Sequence, residues 1–252
     1  GKDHAGETLI DLLKDAGIHN HEILLDEHRK TTVKTRVLSG TQHVLRIDQE
    51  DLHSLESSME DALIKAVKHR MDEGLDALIF EDYNKGVLTQ RVITELVSYA
   101  NEKGIKTTVD PKNDNFLSYK HVSLFKPNLK ELIEGLAVSI DVVTRPESLA
   151  EAAKKLREVL NHDLTLITLS EHGIFVESEA SWKKISAHVR EITDVSGAGD
   201  TVIAVATLCL IANLEPEQIA AIANLAGGMV CEHSGVVSVD SNALLLEANK
   251  LS

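Results

Sequence analysis

Asp194-Val-Ser-Gly-Ala-Gly-Asp-Thr201, running directly into the apolar segment Val202 to Ala212, is the stretch from which the rest of the chain can be read. Two glycines, a carboxylate and then small apolar residues at helical spacing describe a loop that breaks into a buried helix. Gly197 and Gly199 permit backbone geometry and a close approach that a Cβ would forbid. The opening amides of such a helix have no internal partner, and the helix dipole favours negative charge beside them. That end suits a phosphate or a developing oxyanion. Asp200 falls in the first turn, and taken alone it could equally be a carboxylate that merely complements the dipole. The octet as a whole asks for more, because an ordinary cap needs neither flanking glycine.

The motif closely resembles the DTxGAGD signature of ribokinase-like (PfkB-type) sugar kinases, with Val195 where many members carry threonine. The resemblance implies that Asp200 is the catalytic base and that the backbone of Gly197, Ala198 and Gly199 forms an anion hole. It implies ATP and Mg²⁺ as cofactors. It also implies a ribokinase-like three-layer α/β fold, a mainly parallel sheet with helices on both faces and a small β lid.

A chain of 252 residues is long enough for one α/β domain with a sizeable core. With 43% apolar and 26% charged residues it reads as soluble and globular. Aromatics at 3% disfavour stacking-based binding of single-stranded nucleic acid. A formal charge of −14 argues against nucleic acid or an anionic membrane as partner. The same charge opposes anionic substrates, so local cations, helix ends and Mg²⁺ must overcome the global field. Cys209 and Cys231 lie in apolar helical patterns and read as buried thiols in a reducing compartment. No Cys/His cluster suggests zinc. The twelve histidines are scattered, with His19 and His21 in loop sequence. No apolar run is long enough to cross a bilayer and no signal peptide is evident, so the cytoplasm is the expected location.

The opening Gly1-Lys-Asp-His-Ala-Gly6 resembles the GxDxxG that family members carry well inside their sequences. On that resemblance residues 1–252 are expected to be a single kinase domain lacking its usual N-terminal segment.

Periodicity predicts a helix over residues 6–16 ended by Gly17, then a short strand at Ile23-Leu-Leu25. Thr31 to Leu38 alternates and is β-branched, and Ser39-Gly-Thr-Gln can turn it back into His43 to Ile47. That hairpin, about residues 30–48, places Lys34, Arg36 and Arg46 at even spacings on one face. They are either a solvated, charge-protected edge or a lid whose cations bind an anionic substrate. Helices are predicted over 59–73, 89–103, 146–161 (opened by Pro146), 216–229 and 241–250. Strands are predicted at Asp76–Phe80, Lys106–Val109, His121–Phe125 and Leu164–Thr168, with a hairpin from Ile174–Val176 to Trp182–Ala187. Residues 235–239 read as a short strand or loop. Strands alternating with helices in this way mean βαβ units and a mainly parallel sheet.

Ligands of open α/β sheets gather at the strands' carboxyl ends. Glu81-Asp-Tyr-Asn-Lys-Gly86 occupies one such end and resembles the family's DYGKG, which makes Asp82 and Lys85 candidate substrate contacts; loop polarity alone would also explain them. Asp110-Pro-Lys112 resembles the family's DPK, with Lys112 placed to meet a phosphate; a turn opened by Asp-Pro is the alternative. Asn128 and Glu131 have capping-box spacing. They also match the family's N-x-x-E, which implies a role in holding Mg²⁺ and the ATP phosphates, directly or through water. Thr168, Ser170 and Gly173 match TxGxxG, with serine in place of the first glycine, and are candidate nucleotide contacts. Asn224 and Gly227 fall where the family borders adenine, though the glycines of that helix also suit close packing.

The stretches KTR, LRID, SEHG and DVSGAGDT resemble the branch of the family that phosphorylates the anomeric oxygen of D-glycero-D-manno-heptose 7-phosphate, where the lid also serves as a dimer clasp. The expected partners are therefore a sugar phosphate, ATP and a second copy of the chain, with no nucleic acid and no membrane. Another sugar or nucleoside kinase of the same fold remains an alternative, as does a truncated, non-catalytic nucleotide-binding chain. A Rossmann dehydrogenase and a P-loop enzyme are poor matches, since no G-x-G-x-x-G follows a strand and no Walker A sequence appears.

Overall fold

The computed structural model describes all residues except 20, 21, 40, 41, 142–144, 146, 189, 251 and 252, and only the backbone of residues 38, 42 and 43. In chain order the elements are α1 (His4–Asp15), β1 (Val33–Ser39), β2 (Gln42–Gln49), α2 (Ser57–Gly74), β3 (Ala77–Glu81), α3 (Gln90–Lys103), β4 (Lys106–Asp110) and β5 (Leu124–Phe125). There follow α4 (Leu129–Leu136), α5 (Glu147–Leu160), β6 (Leu164–Thr168), β7 (Ile174–Glu177), β8 (Trp182–Ile185), α6 (Ala198–Ile211), α7 (Pro216–Val230) and α8 (Ser241–Ala248).

β3 to β8 form one six-stranded sheet in sequence order. β3, β4, β5 and β6 pair in parallel, and the hairpins that add β7 and β8 are antiparallel. Because side chains alternate across a strand, the sheet divides the core in two. Phe80, Val109, Phe125, Ile167 and Phe175 point to a layer shared with α2, α3, α4 and α5. Leu124, Leu164, Leu166, Ile174 and Val176 point to the layer of α6 and α7. On that second side Thr108 of β4 and Thr207 of α6 share a buried hydrogen bond of 2.7 Å. The mostly parallel three-layer α/β architecture read from the sequence is the one observed.

β1 and β2 form a separate antiparallel ribbon with a register shift at Val37/Leu38. Its predicted turn at Gly40 and Thr41 lies outside the described residues, as do His21 and the predicted helix start at Pro146. The ribbon's root is tied to the main sheet. Arg29 donates to the carbonyls of Lys85 and His53, and the Leu55 amide donates to the Gly86 carbonyl at 2.9 Å. At Gly86, with φ +77°, an added Cβ would meet the His53 carbonyl at 2.0 Å, so a glycine is needed there.

Two expected elements differ. Ile23-Leu-Leu25 forms no strand. A strand needs a ladder partner for its amides and carbonyls, and β3 ends the sheet on its outer side among the described residues. The strand expected over His121–Phe125 shrinks to Leu124–Phe125, because His121 sits at φ +64° and turns the chain. Residues 235–239 are a loop. Cys209 and Cys231 are both buried free thiols, and no helix among the described residues is long and apolar enough to cross a membrane.

Candidate active site

Gly197 is the N-cap of α6, in the left-handed region at φ 81°, and supplies no capping side chain. Val236 packs over it: an added Cβ would meet Val236 Cγ1 at 3.1 Å. Asp194 fastens the loop that leads in, accepting from the Ser196 amide at 2.9 Å and the Gly235 amide at 3.1 Å. Of the expected anion-hole amides, that of Ala198 already donates to the Val195 carbonyl at 3.3 Å. The Gly199 and Asp200 amides have no acceptor among the described residues. Asp200 itself is exposed. The helix end is thus open, with free amides and a carboxylate in its first turn.

Strand parity then brings further acids to the same place. Ile79 and Glu81, like Thr108 and Asp110, lie on the α6 side of the sheet, and their strands' carboxyl ends stop beneath the start of that helix. Glu81, Asp110 and Asp200 each offer a carboxylate oxygen within 4.8 Å of the others. Tyr83, two residues past β3, donates its phenol to Asp200 Oδ1 at 3.0 Å. Lys126, buried just after β5, pairs with Asp110 at 2.9 Å. Gly199 sits over that ion pair, with an added Cβ 3.5 Å from Asp110 Oδ2 and 3.7 Å from Lys126 Nζ. Burial, and then the charges of Asp110 and Asp200, push Glu81 up to about 8. Burial, and then Asp200, also raise the Tyr83 phenol above its ordinary value.

The remaining sequence candidates divide by position. Lys112 joins the cluster, reaching Asp110 Oδ1 at 3.5 Å and the Glu131 carboxylate. Asn128 and Glu131 form a complete capping box on α4: the Asn128 side chain accepts from the Glu131 amide at 2.8 Å, and the Glu131 carboxylate accepts from the Asn128 amide at 2.8 Å. Thr168 neighbours them, its amide donating to the Pro127 carbonyl at 3.2 Å. Ser170 stands at φ +52°, and Gly173 at φ +89° abuts β8, where a Cβ would meet the Ile185 carbonyl at 2.0 Å. Asn224 donates to the Ser186 carbonyl at 2.9 Å. Gly227 is buried at the crossing of α6 and α7, where a Cβ would meet Val202 Cγ2 at 2.7 Å.

Asp82 faces away from Asp200, since parity turns it to the α3 side of the sheet. Its carboxylate accepts from Tyr119 at 2.7 Å, Asn115 at 3.0 Å and the Asn84 amide at 2.8 Å. Lys85 donates to Glu50 at 2.5 Å, and Lys34 lies 3.9 Å from the same carboxylate. Arg36 and Arg46 are direct cross-strand partners in the ribbon, and Arg46 pairs with Asp48 at 2.8 Å. Two like charges opposite one another are unfavourable unless an anion lies between or near them.

Glu81, Tyr83, Asp110 and Lys126 are not in the set of site residues read from the sequence. The alternation of their strands was the available signal: a polar residue that ends a buried strand in phase with its α6-facing residues belongs to the α6 side.

The carboxyl ends of a mostly parallel sheet, the uncapped glycine start of α6 and a cluster of three carboxylates thus meet at one place in an α/β fold. Residues 1–242 match the pfkB family of carbohydrate kinases, and the chain belongs to that family. It is 35% identical to the bifunctional protein HldE of Sulfurimonas denitrificans over 239 residues, 95% of this chain and 49% of that protein. It is 33% identical to HldE of Helicobacter pylori strain J99 over 248 residues, 98% of this chain and 53% of that protein. The chain therefore spans about half the length of these relatives. In structure it resembles phosphofructokinase-2 from Escherichia coli in complex with potassium, with a TM-score of 0.84, 18% identity, 99% of this chain and 79% of that one covered. Arabidopsis thaliana ribokinase complexed with ribose and ATP gives a TM-score of 0.75 at 15% identity, over 100% of this chain and 80% of that one. At those identities the likeness speaks for the fold.

Proposed function

We propose that this carbohydrate kinase transfers the γ-phosphoryl group of ATP to a hydroxyl of a phosphorylated sugar, the anomeric hydroxyl of D-glycero-D-manno-heptose 7-phosphate. The observation that carries the reading is the open α6 terminus, where Asp200 is exposed beside the free Gly199 and Asp200 amides. The sugar hydroxyl attacks the γ-phosphorus in line. Asp200 receives the hydroxyl proton while Tyr83 holds its Oδ1. The amides and the helix dipole stabilise charge on the equatorial oxygens. A helix N-terminus makes a carboxylate a weaker base, but a loose phosphoryl transition state allows late proton transfer, so orientation counts for more than basicity.

Magnesium fits the oxygens of Asn128 and Glu131 through water. Both already serve the capping box, and Glu131 also accepts from Lys112, while a magnesium ion keeps much of its own water. Bound there, it would neutralise phosphate charge. Lys112 and Lys126 are the nearby cations that help an acidic protein accept ATP.

The heptose phosphate is favoured by the KTR, LRID and SEHG stretches and by the Arg36–Arg46 juxtaposition, which suits an anionic sugar. ATP consumption measured across heptose 7-phosphate, fructose phosphates, ribose and adenosine tests this. Preference for an unphosphorylated sugar would reject the substrate, and no turnover with any sugar would reject the kinase reading.

The ribbon's opposite face exposes Val33, Val37, Leu45 and Ile47. In this reading it packs against the same face of a second copy. A monomer by sedimentation at micromolar concentration would reject that dimer. The reading places the protein in the cytoplasm, in keeping with two buried thiols that form no disulfide.

A further inference from the structure

Among the described residues, the cations that reach the Glu81, Asp110 and Asp200 cluster are both engaged with one member. Lys126 lies 2.9 Å and Lys112 3.5 Å from Asp110. No basic side chain forms an ion pair with Glu81 or Asp200 among the described residues, and the hydrogen-bond donor to the Asp200 side chain is the neutral phenol of Tyr83. Two carboxylates within 4.8 Å of one another without a cation of their own do not readily both ionise, and such pairs hold one proton between them. Position decides where it resides. Asp200 is exposed in the first turn of α6, where the dipole favours its charged form. Glu81 is half-buried at the end of β3 and has no helix terminus of its own to stabilise a charge.

We propose that Glu81 is a positioning residue that remains protonated at neutral pH and shares its proton with Asp200, so that the base site carries one negative charge instead of two. This rests on the reading of Asp200 as the base. The upward displacement of Glu81 to about 8, by burial first and its acidic neighbours second, is in keeping with it. The groups facing Glu81 are Asp200 from α6, Tyr83 beyond β3, Asp110 at the end of β4 and Lys126 after β5, with Lys112 reaching Asp110 from beyond it. Tyr83 and Lys112 are both held above their ordinary values, so neither enters the same pH window. The neutral acid admits a phosphoryl anion beside Asp200. Once Glu81 ionises, a second negative charge stands at the base site and repels the group in transit.

The direct test is carboxyl ¹³C NMR of glutamate-labelled, nucleotide-free protein between pH 5 and 10. One resonance, absent from Glu81→Gln, is expected to titrate near 8 and to move to lower pH in Asp200→Asn. Glu81→Ala provides the assignment should the glutamine variant not fold. In turnover, the wild type is expected to lose about tenfold in kcat/KM between pH 7 and pH 9. Glu81→Gln, whatever its level of activity at pH 7, is expected to lack that alkaline limb. A Glu81 resonance titrating in the ordinary carboxylate range, about 4 to 5, overturns the proposal. So does an alkaline limb unchanged in Glu81→Gln, or a titration abolished by millimolar Mg²⁺ alone, which would assign the cluster to a cation. The NMR measurement needs no catalysis. A protein inactive on every sugar would sink the kinase reading and leave this test standing.

Discussion

Asp200 stands in the first turn of α6 and accepts from the Tyr83 phenol, while Glu81 and Asp110 each bring a carboxylate oxygen within 4.8 Å. Replacing it with asparagine keeps the shape and removes the proton acceptor. Asp200→Asn is expected to lower kcat by about 100-fold or more while ATP affinity, measured by calorimetry, stays within a few-fold. Turnover close to wild type would take Asp200 out of the base role. Tyr83→Phe acts on the same carboxylate from the other side. Losing the donor that fixes Oδ1 lets the carboxylate turn, so kcat should fall by about tenfold while KM for ATP stays within a few-fold. An unchanged kcat would leave Tyr83 as packing alone.

The helices differ in what they do with their first amides. α1, α3, α4 and α8 cap theirs with Asp3, Thr89, Asn128 and Asp240, whereas α2 after Glu56 and α6 after Gly197 have no capping side chain. That contrast separates a capped end from an uncapped one, and of the two uncapped ends α6 is the one that starts on a glycine beside the Glu81 and Asp110 carboxylates. It also shows why Asn128 and Glu131 were ambiguous from spacing, since the capping box is present whether or not the same oxygens serve a cation. Gly173 poses a similar choice, and here a substitution can decide. It stands at φ +89° with the Ile185 carbonyl 2.0 Å from an added Cβ. Gly173→Ala should therefore disturb the β7–β8 hairpin and lower Tm by about 4 °C or more. An unchanged Tm with a raised KM for ATP would instead show that this glycine serves the nucleotide.

The two-layered core contains a polar exception that couples the whole molecule to pH. His162 is buried; its Nε2 lies 2.7 Å from Thr165 Oγ1, which donates to Glu177 at 3.2 Å, and Arg157 holds Glu177 at 2.9 Å. Burial, and then the Arg157 charge, push His162 down to about 4. The folded protein thus prefers the neutral ring, while the unfolded chain takes up its proton near 6.5. This contribution is fully present above about 6.5, shrinks as pH falls towards 4, and is worth about 3 kcal/mol in all. The urea midpoint should fall between pH 7 and pH 4.5, and His162→Gln should flatten that slope. An equal slope in the variant would place the acid sensitivity elsewhere. Asp3, held down to about 2 by hydrogen bonds from Thr31 and Gly6, loses its contribution only at lower pH, so the two windows do not overlap.

Much of this was legible in the residues themselves. The glycine-opened helix, the βαβ alternation, the terminal hairpins and the α4 capping box follow from local conformational rules acting on neighbours in sequence. Ile23-Leu-Leu25 shows the limit of such rules, because β-propensity makes a strand only where a second strand supplies the ladder. Asp82 and Glu81 show it more sharply. They are adjacent and both acidic, yet one turns to Tyr119 and the other to Asp200. The sequence by itself determined the fold class and put Asp200 in the first turn of α6. Tertiary structure alone decided which acids surround that residue, since strands ending at residues 81 and 110 meet a helix beginning at residue 198 only when the sheet and α6 have packed, and the proton affinity of a carboxylate depends on the charges that packing brings within a few ångströms.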